Sequence, residues 1–151
     1  VVGHDGLRAI PLDRPRENEI FSFMNSAVSS EKPKKLAIHD PCYLARHNNV
    51  HEAPRAVLDA VPQMKREDVE NSSRRTFCCG AGGGQFWKEE EHGTPRINNT
   101  RLEQLMEVKP DTIAVACPFC TTMISDATKA KGLEEEVKVK DVVEIVAASL
   151  A

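Results

Sequence analysis

The sequence predicts an α/β domain built on an open parallel sheet with helices on its faces. Short apolar segments that suit buried strands alternate with longer segments whose apolar residues recur at helical spacing. This alternation is typical of parallel sheets, because the crossover between two parallel strands usually contains a helix. Two parts of the chain carry most of this prediction, the strand-like segment 112–116 and the amphipathic segment 96–108.

The strands are predicted from apolar runs of a length that suits a buried sheet. Segment 112–116, Thr-Ile-Ala-Val-Ala, is the clearest, and segment 34–39 has the apolar centre Leu36-Ala37-Ile38. Segments 64–69 and 137–139 are weaker candidates.

Helices are predicted between and after these strands, over 54–61, 85–91, 96–108 and 141–150. Pro54 suits the first turn of the first helix, and Pro110 ends the third. Asp141 is a good N-cap for the last helix.

The chain divides into a polar lead, residues 1–35, and a folded domain, residues 36–151. The lead contains Pro11, Pro15 and Pro33, many charges and no sustained periodicity, which predicts a linker. The chain begins with Val1 and not with methionine. We therefore expect the lead to be the end of an upstream region of a larger protein.

Length and charge exclude some classes of function. The 151 residues suit one domain, and a net charge of −3 gives no basic face for nucleic acid. The apolar runs are too short to span a bilayer, and no secretory leader is visible. We expect a cytoplasmic location, with any contact with the membrane made through parts or partners outside this chain.

The cysteines form one pattern in three segments: Cys42, Cys78-Cys79-Gly80 and Cys117-Pro118-Phe119-Cys120. An odd count of five argues against a framework of structural disulfides. Four thiolates would suit zinc, although small zinc modules usually supply two close pairs from short loops. Thiolates also hold iron–sulfur clusters. The pattern favours an iron–sulfur site, with zinc, thiol redox chemistry and simple packing as alternatives.

The predicted topology explains how distant cysteines could meet. Each segment follows a predicted strand or leads towards a helix, and loops at the carboxyl ends of parallel strands share one edge of the sheet. A glycine-rich run follows the cysteine pair, with Gly80, Gly82, Gly83 and Gly84. Residues without Cβ let the backbone approach a bulky cluster and direct N–H groups at its sulfur atoms, whereas the alternative is a flexible loop.

Other side chains near the cysteines have less specific interpretations. Three histidines lie near Cys42: His39, His47 and His51. Each is more typical of a surface or hydrogen-bonding residue than of a metal ligand. We expect Arg96 to be a solvated helix residue, and Phe86 and Trp87 to fill the core.

The cysteine segments together resemble the cysteine-rich CCG domain. The motifs are Asp40-Pro41-Cys42-Tyr43-Leu44, Phe77-Cys78-Cys79-Gly80-Ala81-Gly82-Gly83-Gly84 and Ala116-Cys117-Pro118-Phe119-Cys120. This domain occurs in the B subunit of heterodisulfide reductase, in iron–sulfur subunits of glycolate, lactate and anaerobic glycerol-3-phosphate oxidation systems, and in bacterial iron–sulfur oxidoreductases linked to acyl-CoA dehydrogenation. The resemblance covers residues 36 to about 148. Gly93-Thr94 and Arg96-Ile97-Asn98 are similar to a string of the bacterial branch, with Pro95 inserted here.

The resemblance implies a cofactor, its ligands and a function. One [4Fe–4S] cluster, of the noncubane type in some relatives, would be held by Cys42, Cys78, Cys79, Cys117 and Cys120. The chain would be an electron-transfer domain of a larger oxidoreductase, without catalytic residues of its own. Implied partners are an upstream ferredoxin-like domain or redox subunit, and a flavin dehydrogenase or electron-transfer flavoprotein as donor. Disulfide or thiol reduction at the cluster, and a zinc-bound structural domain, are the alternative functions.

Overall fold

The computed structural model describes residues 32–88 and 95–150. The predicted lead therefore lies almost entirely outside the described residues. So does the end of the helix predicted over 85–91.

Four parallel strands form one sheet in the order β2-β1-β3-β4. The strands are Lys34–Ile38 (β1), Met64–Glu67 (β2), Thr112–Val115 (β3) and Lys138–Asp141 (β4). Strand β1 is central and pairs in parallel with both β2 and β3, and β4 extends the sheet beyond β3. The predicted parallel α/β architecture is confirmed.

Four α-helices connect or follow the strands: Glu52–Asp59 (α1), Ile97–Met106 (α2), Pro118–Ala130 (α3) and Val142–Ser149 (α4). Three shorter segments lie in the loops, a π-helical segment at Tyr43–His47 and 3₁₀ segments at Ser73–Arg75 and Gly82–Trp87. Asp141 caps α4 as predicted, because its carboxylate accepts from Val143 N at 2.9 Å while Glu144 accepts from Asp141 N at 2.8 Å.

Two differences separate this structure from the predicted elements. Helix α3 was not predicted, although Pro118 occupies its first turn and Cys117 its N-cap position. The helix predicted from residue 85 is wrong where the structure describes it, since Gly82–Trp87 is a 3₁₀ segment with left-handed glycines inside.

Alternation along the strands gives each face of the sheet its own core. Leu36 and Ile38 of β1 and Ala114 of β3 pack beside Leu58 of α1 and Ile145 of α4. Residues of opposite parity on the same strands pack on the other side, with side chains of α2 and α3: Ala37, Ile113, Val115, Leu102, Leu105, Ile124 and Ala127. We call these the α1/α4 face and the α2/α3 face. Among the described helices, none has the length and apolar character needed to cross a bilayer.

Candidate metal centre

The second and third cysteine segments contact each other near the ends of the central strands, and the first cysteine segment follows β1. His39 N donates to Ala114 O at 2.9 Å, so β1 and β3 remain paired to their carboxyl ends. Cys42 lies just beyond β1 and precedes the π-helical segment, and Cys117 lies just beyond β3 at the N-cap of α3. Both cysteines are half-buried and none of the five forms a disulfide.

Three of the five thiols form a continuous hydrogen-bonded run. Cys78 contacts Cys79, and Cys79 contacts Cys120 from the first turn of α3. The hydrogen bond to Cys120, followed by burial, raises the pKa of Cys79 to about 11. The pKa of Cys78 is also raised, chiefly by its hydrogen bond to Cys79. Both groups are therefore thiols at neutral pH, and a metal must displace their protons in order to bind.

The turn after the cysteine pair requires glycine at its first position. Gly80 has φ +97°, and a Cβ there would lie 3.2 Å from Met123 Cε and 3.3 Å from Asn98 N. The packed turn directs Gly80 N towards Cys78 Sγ at 3.3 Å. Gly83 and Gly84 also have positive φ but face open space. The close approach of backbone to sulfur is thus present at Gly80 and at Gly82, where an added Cβ would lie 3.7 Å from Cys78 Sγ, while Gly83 and Gly84 shape an exposed loop.

His39 lies beside this run of thiols. One of its ring nitrogens, Cys79 Sγ and Cys120 Sγ all lie within 4.8 Å of one another, and all three residues are buried. Burial, and then the charge of Arg101, lowers the pKa of His39 to about 3. The imidazole is consequently neutral at ordinary pH.

Arg101 is the site residue that the sequence analysis did not single out. It is fully buried on α2, and Nε donates to His39 Nδ1 at 3.0 Å. Nη1 donates to Asn71 O at 2.9 Å and to Gln104 Oε1 at 3.0 Å. Burial lowers its pKa to about 10, which leaves it charged at neutral pH. Arg101 immediately precedes Leu102 and lies four residues before Leu105, so its place on the buried stripe was visible in the helical spacing.

Asp40 connects the first cysteine segment to the second. Its carboxylate accepts from Arg55 Nη1 at 2.5 Å and Nη2 at 2.9 Å, and also from Ser73 N at 2.7 Å. Its backbone oxygen accepts from Thr76 Oγ1 at 3.1 Å. The loop that leads into Cys78 is therefore anchored at the end of β1.

The aromatic side chains beside the cysteines do not fill the core as expected. Trp87 is 79% exposed and Phe119 is 50% exposed, with Phe86 between them in edge-on contact with both rings. The core-filling prediction is therefore wrong for Trp87. Arg96, at the N-cap of α2, pairs with Asp126 of α3 at 3.0 Å.

A four-stranded parallel sheet with helices on its faces and five uncrosslinked cysteines near it defines a cysteine-rich α/β domain. The chain belongs to the CCG cysteine-rich domain family, whose model matches residues 36–125. A second family model, described as arginine dihydrolase ArgZ-like, C-terminal, first region, matches residues 1–38. The predicted family resemblance is confirmed by the first match.

Several similar proteins are described as oxidoreductases or iron–sulfur proteins. The chain is 48% identical over 115 residues to the probable iron-sulfur-binding oxidoreductase FadF of Bacillus subtilis, covering 76% of this chain and 16% of that protein. It is 46% identical over 117 residues to the EtfAB:quinone oxidoreductase of Syntrophomonas wolfei, covering 74% and 16%. It is 37% identical over 129 residues to a chain of the dihydromethanophenazine:CoB–CoM heterodisulfide reductase of Methanosarcina barkeri, covering 82% and 30%.

The chain thus spans less than a third of the length of each of these relatives. No solved structure matches it significantly.

Proposed function

We propose that this chain is the iron–sulfur domain of a larger oxidoreductase and relays electrons through one [4Fe–4S] cluster. Its ligands would be Cys42, Cys78, Cys79, Cys117 and Cys120. The observation that carries the proposal is the run of three buried or half-buried thiols, Cys78, Cys79 and Cys120, near the ends of the two strands that precede the other two cysteines. Zinc is not part of this proposal, since the relatives that name a cofactor name iron–sulfur.

The surroundings of the thiols fit an anionic group with sulfur acceptors. Gly80 directs a backbone N–H at Cys78, and Arg101 places a buried positive charge near Cys79 and Cys120. Hydrogen bonds and charge around the sulfur atoms are the means by which a protein sets the potential of an iron–sulfur cluster. When bound, such a cluster supplies single-electron transfer.

In this proposal the protein binds, orients and shields the cluster. The thiols release their protons on binding, Gly80 holds the cysteine pair close to the backbone, and α2 and α3 close one side of the site. The exposed Trp87 and Phe119 lie in or next to the cysteine segments. The organic chemistry of the complex would take place on another domain or subunit.

The electron donor and acceptor are part of the same proposal. Electron-transfer flavoprotein or a flavin dehydrogenase would donate, and a ferredoxin-like domain of the whole protein would share the relay. One relative is named as an oxidoreductase acting between EtfAB and quinone, which supports this direction of flow. We propose a cytoplasmic location for the domain, with any contact with the membrane made through other parts or partners.

Anaerobic reconstitution with iron and sulfide tests the cluster. We expect about four iron and four sulfide per chain. Cys117→Ser and Cys120→Ser should each abolish stable assembly, whereas one of Cys78→Ser and Cys79→Ser should leave a spectroscopically altered cluster. Thr122→Ser, on the exposed side of the same helix, is the matched control and should keep full iron content. Negligible iron with one tightly held zinc would contradict the proposal.

A second assay separates electron relay from disulfide reduction. We expect the reconstituted chain to accept electrons from a strong reductant and to release no thiol catalytically from added heterodisulfides, because it carries one cysteine set. Catalytic thiol release by this chain would show that the cluster itself reduces disulfides.

A further inference from the structure

The hydrogen bond between Arg101 and His39 fixes which ring nitrogen carries the proton. An arginine side chain has donors only, so His39 Nδ1, 3.0 Å from Arg101 Nε, must be the acceptor. A neutral imidazole that accepts at Nδ1 carries its hydrogen at Nε2. Nε2–H is thus a donor, and in this tautomer it offers no lone pair to a metal.

Two buried donors at this point have no partner in the described part of the chain. They are His39 Nε2 and Arg101 Nη2. The side chains that carry them are 1% and 0% exposed, so water cannot readily take the place of a partner. A buried donor left unsatisfied is costly, and native proteins seldom keep one without a reason.

Two sulfur atoms beside these donors are candidate acceptors. A ring nitrogen of His39 lies within 4.8 Å of both Cys79 Sγ and Cys120 Sγ, and the charge of Arg101 acts on the same two cysteines. As thiols, these groups are weak acceptors, whereas thiolates and sulfides bound to iron carry negative charge and accept more strongly. The two unpartnered donors therefore suit the metal-loaded site better than the empty thiols.

We propose that His39 is not a ligand but a hydrogen-bond donor to the sulfur shell of the cluster, and that Arg101 holds it in the donor tautomer while adding a buried positive charge. The inference rests on the proposed function. Both residues are positioning residues: they stabilise the more negative, reduced state of the cluster and so raise its reduction potential.

Nitrogen NMR of the histidine side chains in the full chain tests the tautomer before any metal is added. We expect His39 to show a protonated Nε2 and an unprotonated Nδ1. In Arg101→Met this preference should weaken, because the donor that selects the tautomer is gone. A His39 protonated at Nδ1 in the unsubstituted chain would overturn the proposal.

Redox titration of the reconstituted full chain tests the contact with sulfur. His39→Leu removes the donor, and Arg101→Met removes the charge. Each substitution should lower the reduced-to-oxidised ratio of the cluster at a fixed potential about tenfold. This corresponds to a fall of about 59 mV in the reduction potential of a one-electron couple. His39→Gln keeps an N–H donor and should recover part of the shift, as Arg101→Lys should by keeping the charge. Arg66→Gln on β2 removes a charge that is paired with Asp59 and Asp68, and should leave the potential unchanged.

Electron-spin-echo spectroscopy of the reduced cluster distinguishes a donor from a ligand. We expect a weak nitrogen coupling that disappears in His39→Leu while iron content stays unchanged. A strong coupling typical of direct ligation, or loss of iron in His39→Leu, would overturn the proposal. Iron uptake with unshifted potentials in His39→Leu and Arg101→Met would contradict this inference alone. Failure of the unsubstituted chain to take up iron would contradict the proposed function and this inference with it.

Discussion

His39 and Asp40 are consecutive residues at the end of β1, and they contact buried arginines on opposite faces of the sheet. Asp40 pairs with Arg55 of α1 on the α1/α4 face, and His39 accepts from Arg101 of α2 on the α2/α3 face. The first arginine has a bidentate carboxylate partner. The second has only neutral direct partners among the described residues, and one of its nitrogens has none.

The difference separates a buried charge that stabilises the fold from one that we propose acts on the cluster. The Asp40–Arg55 pair is closed: the two charges compensate each other, and the carboxylate also accepts from Ser73 N. We call the His39–Arg101 pair open, because His39 Nε2 and Arg101 Nη2 have no hydrogen-bond partner among the described residues and the charge of Arg101 has no anionic partner in direct contact. An uncompensated buried cation is costly unless a negative group arrives to meet it.

The largest expected effect comes from breaking the closed pair. Asp40→Ala leaves the buried Arg55 guanidinium without its bidentate partner, with only Asp68 at 3.7 Å, and frees the loop at Ser73. We expect the free energy of unfolding to fall by about 3–5 kcal/mol, measured by urea denaturation of the metal-free chain. Asp59→Ala removes an exposed partner of Arg66 and should cost less than about 1 kcal/mol. Equal costs for the two variants would show that burial does not distinguish the pairs.

Next in size is the response of the two arginines to metal. In the metal-free chain Arg101→Met should cost about 1–3 kcal/mol, because it leaves neutral acceptors unpaired. Arg55→Met leaves a buried carboxylate unpaired and should cost more. Reconstitution with iron and sulfide should increase the loss of stability caused by Arg101→Met and leave that caused by Arg55→Met unchanged. Thermal unfolding of loaded and metal-free samples measures both. A cost of Arg101→Met that does not depend on metal would remove the distinction between an open and a closed pair.

A third effect concerns the slope of stability with pH. The folded-state pKa of His39 is about 3, below the ordinary value of 6.5, so the unfolded state binds an extra proton between these values. The contribution of His39 to stability is present above about pH 6.5 and is lost as pH falls towards 3. Arg101, Asp40, Cys79 and Cys120 are the titratable groups around its ring.

We therefore expect His39→Gln to make the decline in stability of the metal-free chain shallower, by up to about 1.4 kcal/mol per pH unit. Other acidic groups also titrate in this range, and the exposed His47→Gln variant controls for them. Identical slopes in both variants would mean that His39 is not held neutral by burial.

The smallest expected effect compares two glycines with positive φ. At Gly80 an added Cβ meets Met123, Asn98 and Ile97, whereas at Gly132 it meets open space. We expect Gly132→Ala to lower the free energy of unfolding by about 1 kcal/mol, which is the conformational cost alone. Gly80→Ala should lower it by about another 1 kcal/mol, because the added Cβ is crowded. Chemical denaturation measures both. Gly80→Ala should in addition lower iron content, an effect with no counterpart at Gly132.

Much of the fold was predictable because local pattern and topology agree. The apolar runs around Ala37 and Ile113 mark the two central strands, and in a parallel sheet both deliver the following cysteines to one edge. Helix α3 escaped prediction because Thr121, Thr122 and Ile124 are weak helix formers. Pro118, which lies in the first turn of this helix, also stands within the third cysteine motif.

The polar part of the site was less predictable for a different reason. Arg101 has the helical spacing of a core residue, but sequence favours an arginine as exposed unless a buried partner is known. That partner, His39, is 62 positions away along the chain. Pairing across elements depends on tertiary packing, which periodicity alone does not specify. The prediction for Trp87 was wrong in the opposite sense, because this large aromatic side chain was expected in the core and is exposed.

In the proposed electron relay, the hydrogen bonds of Asp40 to Ser73 and Thr76 bear on the rate of electron transfer. They tie the end of β1, which leads into Cys42, to the loop that leads into Cys78. Two loops tied in this way move together and not independently. We expect the sulfur positions to change little when an electron arrives, which lowers the reorganisation energy and favours fast exchange in both directions.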